Sequence, residues 1–144
     1  MTMAATQTAR DAMVPEPTTL EAGASAQEAG RALANPDARA VFVTDEAGRL
    51  LGVITRKTLV REVVARGLDP QTTTVRDIAE EPHHTIDAAL ELDLAFRFVE
   101  EHDLERVPVV EADGRLVGVL SRAVVQRRLA EDEPPGDPEL EPAL

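Results

Sequence analysis

Gly48-Arg49-Leu50-Leu51-Gly52-Val53 returns 66 residues later as Gly114-Arg115-Leu116-Val117-Gly118-Val119. An apolar run precedes each copy: Ala40-Val41-Phe42-Val43 in the first case, Val107-Pro108-Val109-Val110 in the second. Two short apolar runs around a polar tip that ends in Gly read as strands joined by a tight turn. Gly48 and Gly114 then supply the positive φ of the bend. The same offset carries much further. Arg10 to Arg61 lies on Arg76 to Arg127 without a gap, and about 16 of about 52 positions are identical, against about three or four by chance. Such a repeat implies two like halves packed about a pseudo-twofold axis.

The segments around the hairpins repeat too. Arg10-Asp11-Ala12-Met13 and Arg76-Asp77-Ile78-Ala79 lead into the units, the second behind a capping-box start, Thr74-x-x-Asp77. A short extended stretch follows, around Thr18 to Leu20 and around His84 to Ile86. A helix comes next. In the first unit Ser25-x-x-Glu28 caps it and Asn35-Pro36 ends it. In the second unit Leu90, Leu94, Phe98 and Val99 are assigned to one apolar face. After each hairpin a closing helix runs from Arg56 to Arg66, stopped by Gly67, or from Arg122 to Ala130, stopped by Pro134-Pro135. The order is β-α-β-β-α, twice, an α/β (α+β) fold. The units span 10–67 and 75–131, joined by a linker at 68–74. Residues 1–9 and the acidic tail 132–144 are expected to be disordered.

Composition narrows the function. The chain has 144 residues, a hydrophobic content of 43% and an aromatic content of 2%, with neither Trp nor Tyr. Its core must be built from aliphatic side chains, and it lacks the stacking platforms that single-stranded nucleic acid needs. A net charge of -12 opposes binding to duplexes and membrane surfaces. Part of that acidity sits at one end, in Glu131, Asp132, Glu133, Asp137, Glu139 and Glu141. Cysteine is absent, which excludes disulfides and thiolate metal sites. No run approaches the roughly 20 apolar residues of a membrane helix, and Met1 to Ala9 does not read as a signal peptide. A soluble, cytoplasmic protein that binds neither nucleic acid nor membrane is expected.

Several stretches together resemble a tandem pair of CBS domains. They are Asp11-Ala12-Met13, Val41-Phe42-Val43, the run from Gly48 to Thr55, Arg106 to Val110, and the run from Gly114 to Ser121. The resemblance covers residues 10–129. With Gly67-Leu68-Asp69-Pro70 in the linker, it is similar in particular to the small stand-alone CBS proteins of actinobacteria. It implies two units packed sheet against sheet with two related clefts, and a homodimer. It also implies a non-enzymatic regulatory role without a required cofactor. AMP, ADP, ATP or S-adenosylmethionine would be the ligand, and occupancy would be passed to a protein partner that the sequence does not name.

The resemblance also assigns site residues. The family's hydroxyl after the second hairpin strand, which bonds ribose or phosphate, falls on Thr55 and Ser121. Each would open a helix whose free N–H groups favour a phosphate, and Arg56 and Arg122 follow with a cation. The family's ribose-binding Asp falls on Thr58 and Val124. Thr58 keeps a neutral hydrogen bond and Val124 keeps none. Each unmet ribose hydroxyl would cost about 1–3 kcal/mol, or about tenfold in affinity. That makes the first unit's cleft the favoured one. The base would lie against Val41 and Phe42, or Val107 and Pro108, and Met13–Pro15 and His83–Thr85 would line the clefts.

Each residue also has a plainer role. Thr55 and Ser121 suit N-caps, Arg56 and Arg122 suit solvated first turns, and the Val and Phe positions suit core strands. His83, His84 and His102 lack the close spacing of a metal motif, and no nucleophile–base pair stands out. A ligand-free dimeric interaction module that has lost nucleotide binding is the alternative function.

Overall fold

The structure, a computed structural model, describes residues 7–15 and 17–132. The first hairpin is β3 (Val41–Thr44) and β4 (Leu50–Ile54), and the second is β6 (Arg106–Val110) and β7 (Leu116–Ser121). β3 pairs in parallel with β2 (Thr19–Glu21), and β6 in parallel with β5 (Ile86–Asp87). Between them run α2 (Ala26–Leu33) and α5 (Leu92–Glu101). The closing helices are α3 (Arg56–Leu59), which continues as a π-helical segment Val60–Val64, and α6 (Arg122–Asp132). Gly48, Gly67 and Gly114 have φ of 84°, 67° and 90°, the left-handed conformation that the bends and the helix stop demand. Ser25 and Glu28 form the expected capping box.

The units exchange their leading segments. α1 (Ala9–Ala12) buries Ala9 and Ala12 in the second unit's core, beside Ile86, Leu92, Val107 and Leu120. β1 (Val14–Pro15) then pairs with β7, Val14 opposite Val119 and Pro15 opposite Gly118. Reciprocally, α4 (Val75–Ile78) buries Val75 and Ile78 against Val41, Val43 and Ile54. Glu80 then bridges Val53, the two N–H groups donating to opposite carbonyls at 2.9 Å. Packing therefore crosses the boundaries of the sequence repeat. The two units share two mixed cores, and neither core is complete without the other unit's leading helix.

The repeated glycines make the exchange possible. A Cβ on Gly118 would stand 2.8 Å from the Val14 carbonyl oxygen, and one on Gly52 would stand 2.7 Å from the Ala79 Cβ and 3.0 Å from the Glu80 oxygen. The crossing backbone lies directly on these two positions, so the second Gly of each Gly-Arg-Leu-x-Gly-Val copy is a clearance residue. The tips of the two copies also pair with each other. Leu50 N–H donates to the Gly114 oxygen and Leu116 N–H to the Gly48 oxygen, both at 3.0 Å. Asp45 and Asp113 brace these tips. Both carboxyls are held below the usual aspartate range, chiefly by the backbone N–H of Arg49 and of Arg115.

Three expectations change. Gln7 to Ala9, placed in a disordered arm, belong to the fold: Thr8 bridges Glu91 and Ala9 is fully buried. On α5 the buried face is Leu92, Ala95 and Val99, with Leu94 exposed. The small Ala95 lets the helix sit close, which turns Leu94 outward. The first closing helix is α-helical only to Leu59. Residues 1–6 and 133–144, with Pro134-Pro135 and most of the acidic tail, lie outside the described residues.

Candidate functional site

A cleft of about 530 Å³ opens between the units, within the range of small-molecule sites. The two clefts expected from the resemblance form one continuous space here, because it is lined by both Thr55 and Ser121. Its apolar wall comes from both hairpins: Phe42 and Val53 from the first, Val107, Pro108 and Val119 from the second. Strand alternation explains the choice except for Val107, which is buried in the second core and borders the cleft from there. Phe42 faces Val53 and Pro108 faces Val119 across their ladders, so each pair shares one sheet face. Val14, carried in by the exchanged strand, adds to the wall.

The assigned residues divide into two groups. Phe42, Thr55, Val107, Pro108 and Ser121 line the cleft. Val41, Arg56, Thr58 and Arg122 do not. Val41 is fully buried in the first core. The Arg56 guanidinium donates to the carbonyls of Leu33 and Asn35 at 2.6 and 2.8 Å, which fastens it to the end of α2. Arg122 repeats this at α5, reaching the Val99 carbonyl at 3.4 Å with Asp103 and Glu100 beside it. Orphan carbonyls at a helix C-terminus attract a cation, and both arginines answer that demand inside the fold.

Thr58 is fully buried and bound to the cap. Thr55 N–H donates to Thr58 Oγ1 at 3.0 Å, Thr58 N–H donates to Thr55 Oγ1 at 3.3 Å, and the two hydroxyls are 3.1 Å apart. The two threonines thus close a reciprocal cap at the start of α3. Thr58 is closed inside this cap and does not line the cleft, where the sequence had placed it against ribose. Thr58→Val is expected to cost about 1–2 kcal/mol by stranding the Thr55 N–H. Chemical denaturation measures that loss. Ligand affinity, measured on the same variant, is expected to stay within about twofold of the parent.

The sequence reading missed other lining residues. Glu80 and Glu81 stand where the 66-residue register places Val14 and Pro15, and Glu80 pairs with Arg61. Shifting Met13–Pro15 by that register would have found them. Arg39, Arg106 and Asp37 line the cleft as well, and His83 and His84, placed at a cleft from the sequence, line it too. His83 and His84 lie outside any strand, so both reach the cleft. His84 also packs edge-on against Phe98 and at a tilt against His102, with ring centroids 5.6 and 4.6 Å away. Among the described residues no group of three or more His, Asp or Glu gathers into a metal site.

Comparison with known proteins agrees with this architecture. The CBS domain family matches residues 9–65 and 75–131. Hypoxic response protein 1 of Mycobacterium tuberculosis is 32% identical over 124 residues, 86% of each chain. The crystal structure of Hypoxic Response Protein I with two coordinated zinc ions superimposes with a TM-score of 0.72 at 30% identity, covering 85% of this chain and 98% of that one. The structure of CBSX2 in complex with AMP gives a TM-score of 0.69 at 24% identity, covering 86% and 96%. The CBS domain pair of MJ0100, in complex with 5′-methylthioadenosine and S-adenosyl-L-methionine, gives 0.67 at 21%, covering 90% and 100%. No helix among the described residues is long and apolar enough to cross a membrane. With two matched domains, the exchanged strands and the shared cleft, the chain belongs to the CBS-domain family as a tandem pair.

Proposed function

We propose that this chain is a non-enzymatic, cytoplasmic regulatory module that senses an adenosine-type ligand in the cleft between its units. One observation carries the reading: a single cleft holds the Thr55 and Ser121 hydroxyls beneath an apolar wall drawn from both hairpins. A purine fits the wall and a sugar or phosphate fits the hydroxyls. The AMP complex of CBSX2 and the adenosyl complexes of MJ0100 support the same class of ligand. A ligand touching both units would hold them at one angle. The resulting shift is bounded by its differential affinity for the two arrangements.

Thermal unfolding with adenosine, AMP, ADP, ATP and S-adenosylmethionine tests this reading. A ligand at about 100 times its Kd adds about 2.7 kcal/mol, a rise of several degrees in Tm. A ligand carried through purification would also absorb near 260 nm, where a chain without Trp or Tyr is nearly silent. If no compound raises Tm at millimolar concentration, the sensor reading fails and the protein-interaction alternative replaces it.

The same reading includes a homodimer through the first unit. Val60 and Val64 are 56% and 72% exposed beside an apolar groove of about 580 Å³ that includes Gly30, Ala34 and Leu59. Their counterparts by repeat register, Gln126 and Ala130, offer no such ridge. A protruding ridge beside a groove suits a twofold contact in which each copy fills the other. Val64→Glu is expected to give a monomer in light scattering, and a dimer that persists would place the contact elsewhere.

A further inference from the structure

We propose that the cleft selects adenosyl ligands of low negative charge, nucleosides and their thioether or sulfonium derivatives, over nucleoside polyphosphates. This rests on the adenosine-type reading above and concerns only which member of that class binds. The charged side chains on the cleft are Asp37, Glu80 and Glu81 against Arg39 and Arg106, with His83 and His84 at the same rim. Glu80 is neutralised by Arg61. The cations that a triphosphate would need beside the hydroxyls point away. Arg56 is spent on the Leu33 and Asn35 carbonyls, and Arg122 on Val99, Glu100 and Asp103. The same diversion occurs in both halves of the repeat. At the second helix start the Arg122 N–H is also used, donating to the Glu105 oxygen at 2.9 Å. The chain as a whole carries -12, so the long-range field also opposes a polyanion. A monophosphate can be met by Arg39 or Arg106. With Glu80 paired to Arg61, Arg39 and Arg106 do no more than offset Asp37 and Glu81, so further phosphates find no surplus cation, whereas a sulfonium is drawn to the carboxylates.

Calorimetric titration with 5′-methylthioadenosine, S-adenosylmethionine, AMP, ADP and ATP, without divalent cations and at two ionic strengths, tests the inference. The first two compounds are expected to bind at least about tenfold tighter than ATP, with AMP between them. ATP binding is expected to tighten with added salt, because screening relieves repulsion. Asp37→Asn and Glu81→Gln are each expected to raise ATP affinity about threefold and to leave 5′-methylthioadenosine within about twofold. ATP binding as tightly as 5′-methylthioadenosine, or weakening with salt, overturns the charge selection and leaves the adenosine-type reading standing. Failure of all five compounds to bind overturns that reading, and the charge selection falls with it.

Discussion

Gly118→Ala and Gly52→Ala are each expected to destabilise the fold by about 1–3 kcal/mol, a fall in Tm of about 3–10 °C, with Val at either position costing more. The cause is contact across the exchange. The added methyl at 118 meets the Val14 carbonyl, and at 52 it meets Ala79 and Glu80. Neither residue has a positive φ, so backbone strain contributes nothing and the effect isolates the crossing segment. Gly23 provides the control. No atom stands within 4 Å of its virtual Cβ and its φ is not positive, so Gly23→Ala is expected to be neutral or slightly stabilising. Hydrogen exchange gives a local readout. Gly52→Ala should speed exchange at the Val53 amide, which donates to Glu80, before it affects Phe42, which donates to Thr18. If Gly118→Ala and Gly52→Ala are as mild as Gly23→Ala, the leading strands are not packed as described.

Thr55→Val is expected to weaken adenosyl binding about tenfold, the value of one lost polar contact in an enclosed site. Ser121→Ala is expected to have the smaller effect. The reason lies at the two helix starts. Arg122 N–H is closed off by the Glu105 carbonyl, whereas Arg56 N–H has no such partner among the described residues. The first unit therefore offers a hydroxyl and an N–H together. Because Thr55 also caps α3, Thr55→Val loses about 1 kcal/mol of stability as well, so affinity must be measured by calorimetry well below Tm. Thr55→Ser restores the hydroxyl and should restore binding. Unchanged affinity in Thr55→Val would leave this residue as a helix cap alone.

Much of the fold is legible in the sequence because one unit is written twice. The offset from Gly48 to Gly114 fixes both hairpins, and the glycines and Asn35-Pro36 mark the turns. The exchange is not legible. α1, β1 and α4 are too short to carry a periodic pattern, and nothing local says which core Ala12 or Ile78 enters. Gly52 and Gly118 were in plain view, yet clearance for a crossing chain depends on a contact distant in sequence. On α5 the hydrophobic pattern points to Leu94 because Leu outweighs Ala on any scale, whereas close packing buries Ala95 instead. In the site, Phe42 and Pro108 follow the strand pattern into the cleft, and Thr55 and Ser121 stand beside it where the strands give way to helices, whereas Val107 borders it from the second core. Arg56 and Arg122 follow the helix ends instead, since the carbonyls of the preceding helix compete for their charge. Thr58 and Val41 sit where the helix and strand periods turn them inward.

Chemical-shift mapping of the uniformly 15N-labelled chain, titrated with AMP and with 5′-methylthioadenosine, tests the shared cleft most directly. The account predicts shifts on both walls together, at Phe42 and Thr55 of the first unit and at Val107 and Ser121 of the second. The groove around Gly30 and Val64 should stay unperturbed. Shifts confined to residues outside the cleft, or none with either compound at saturating concentration, would contradict it.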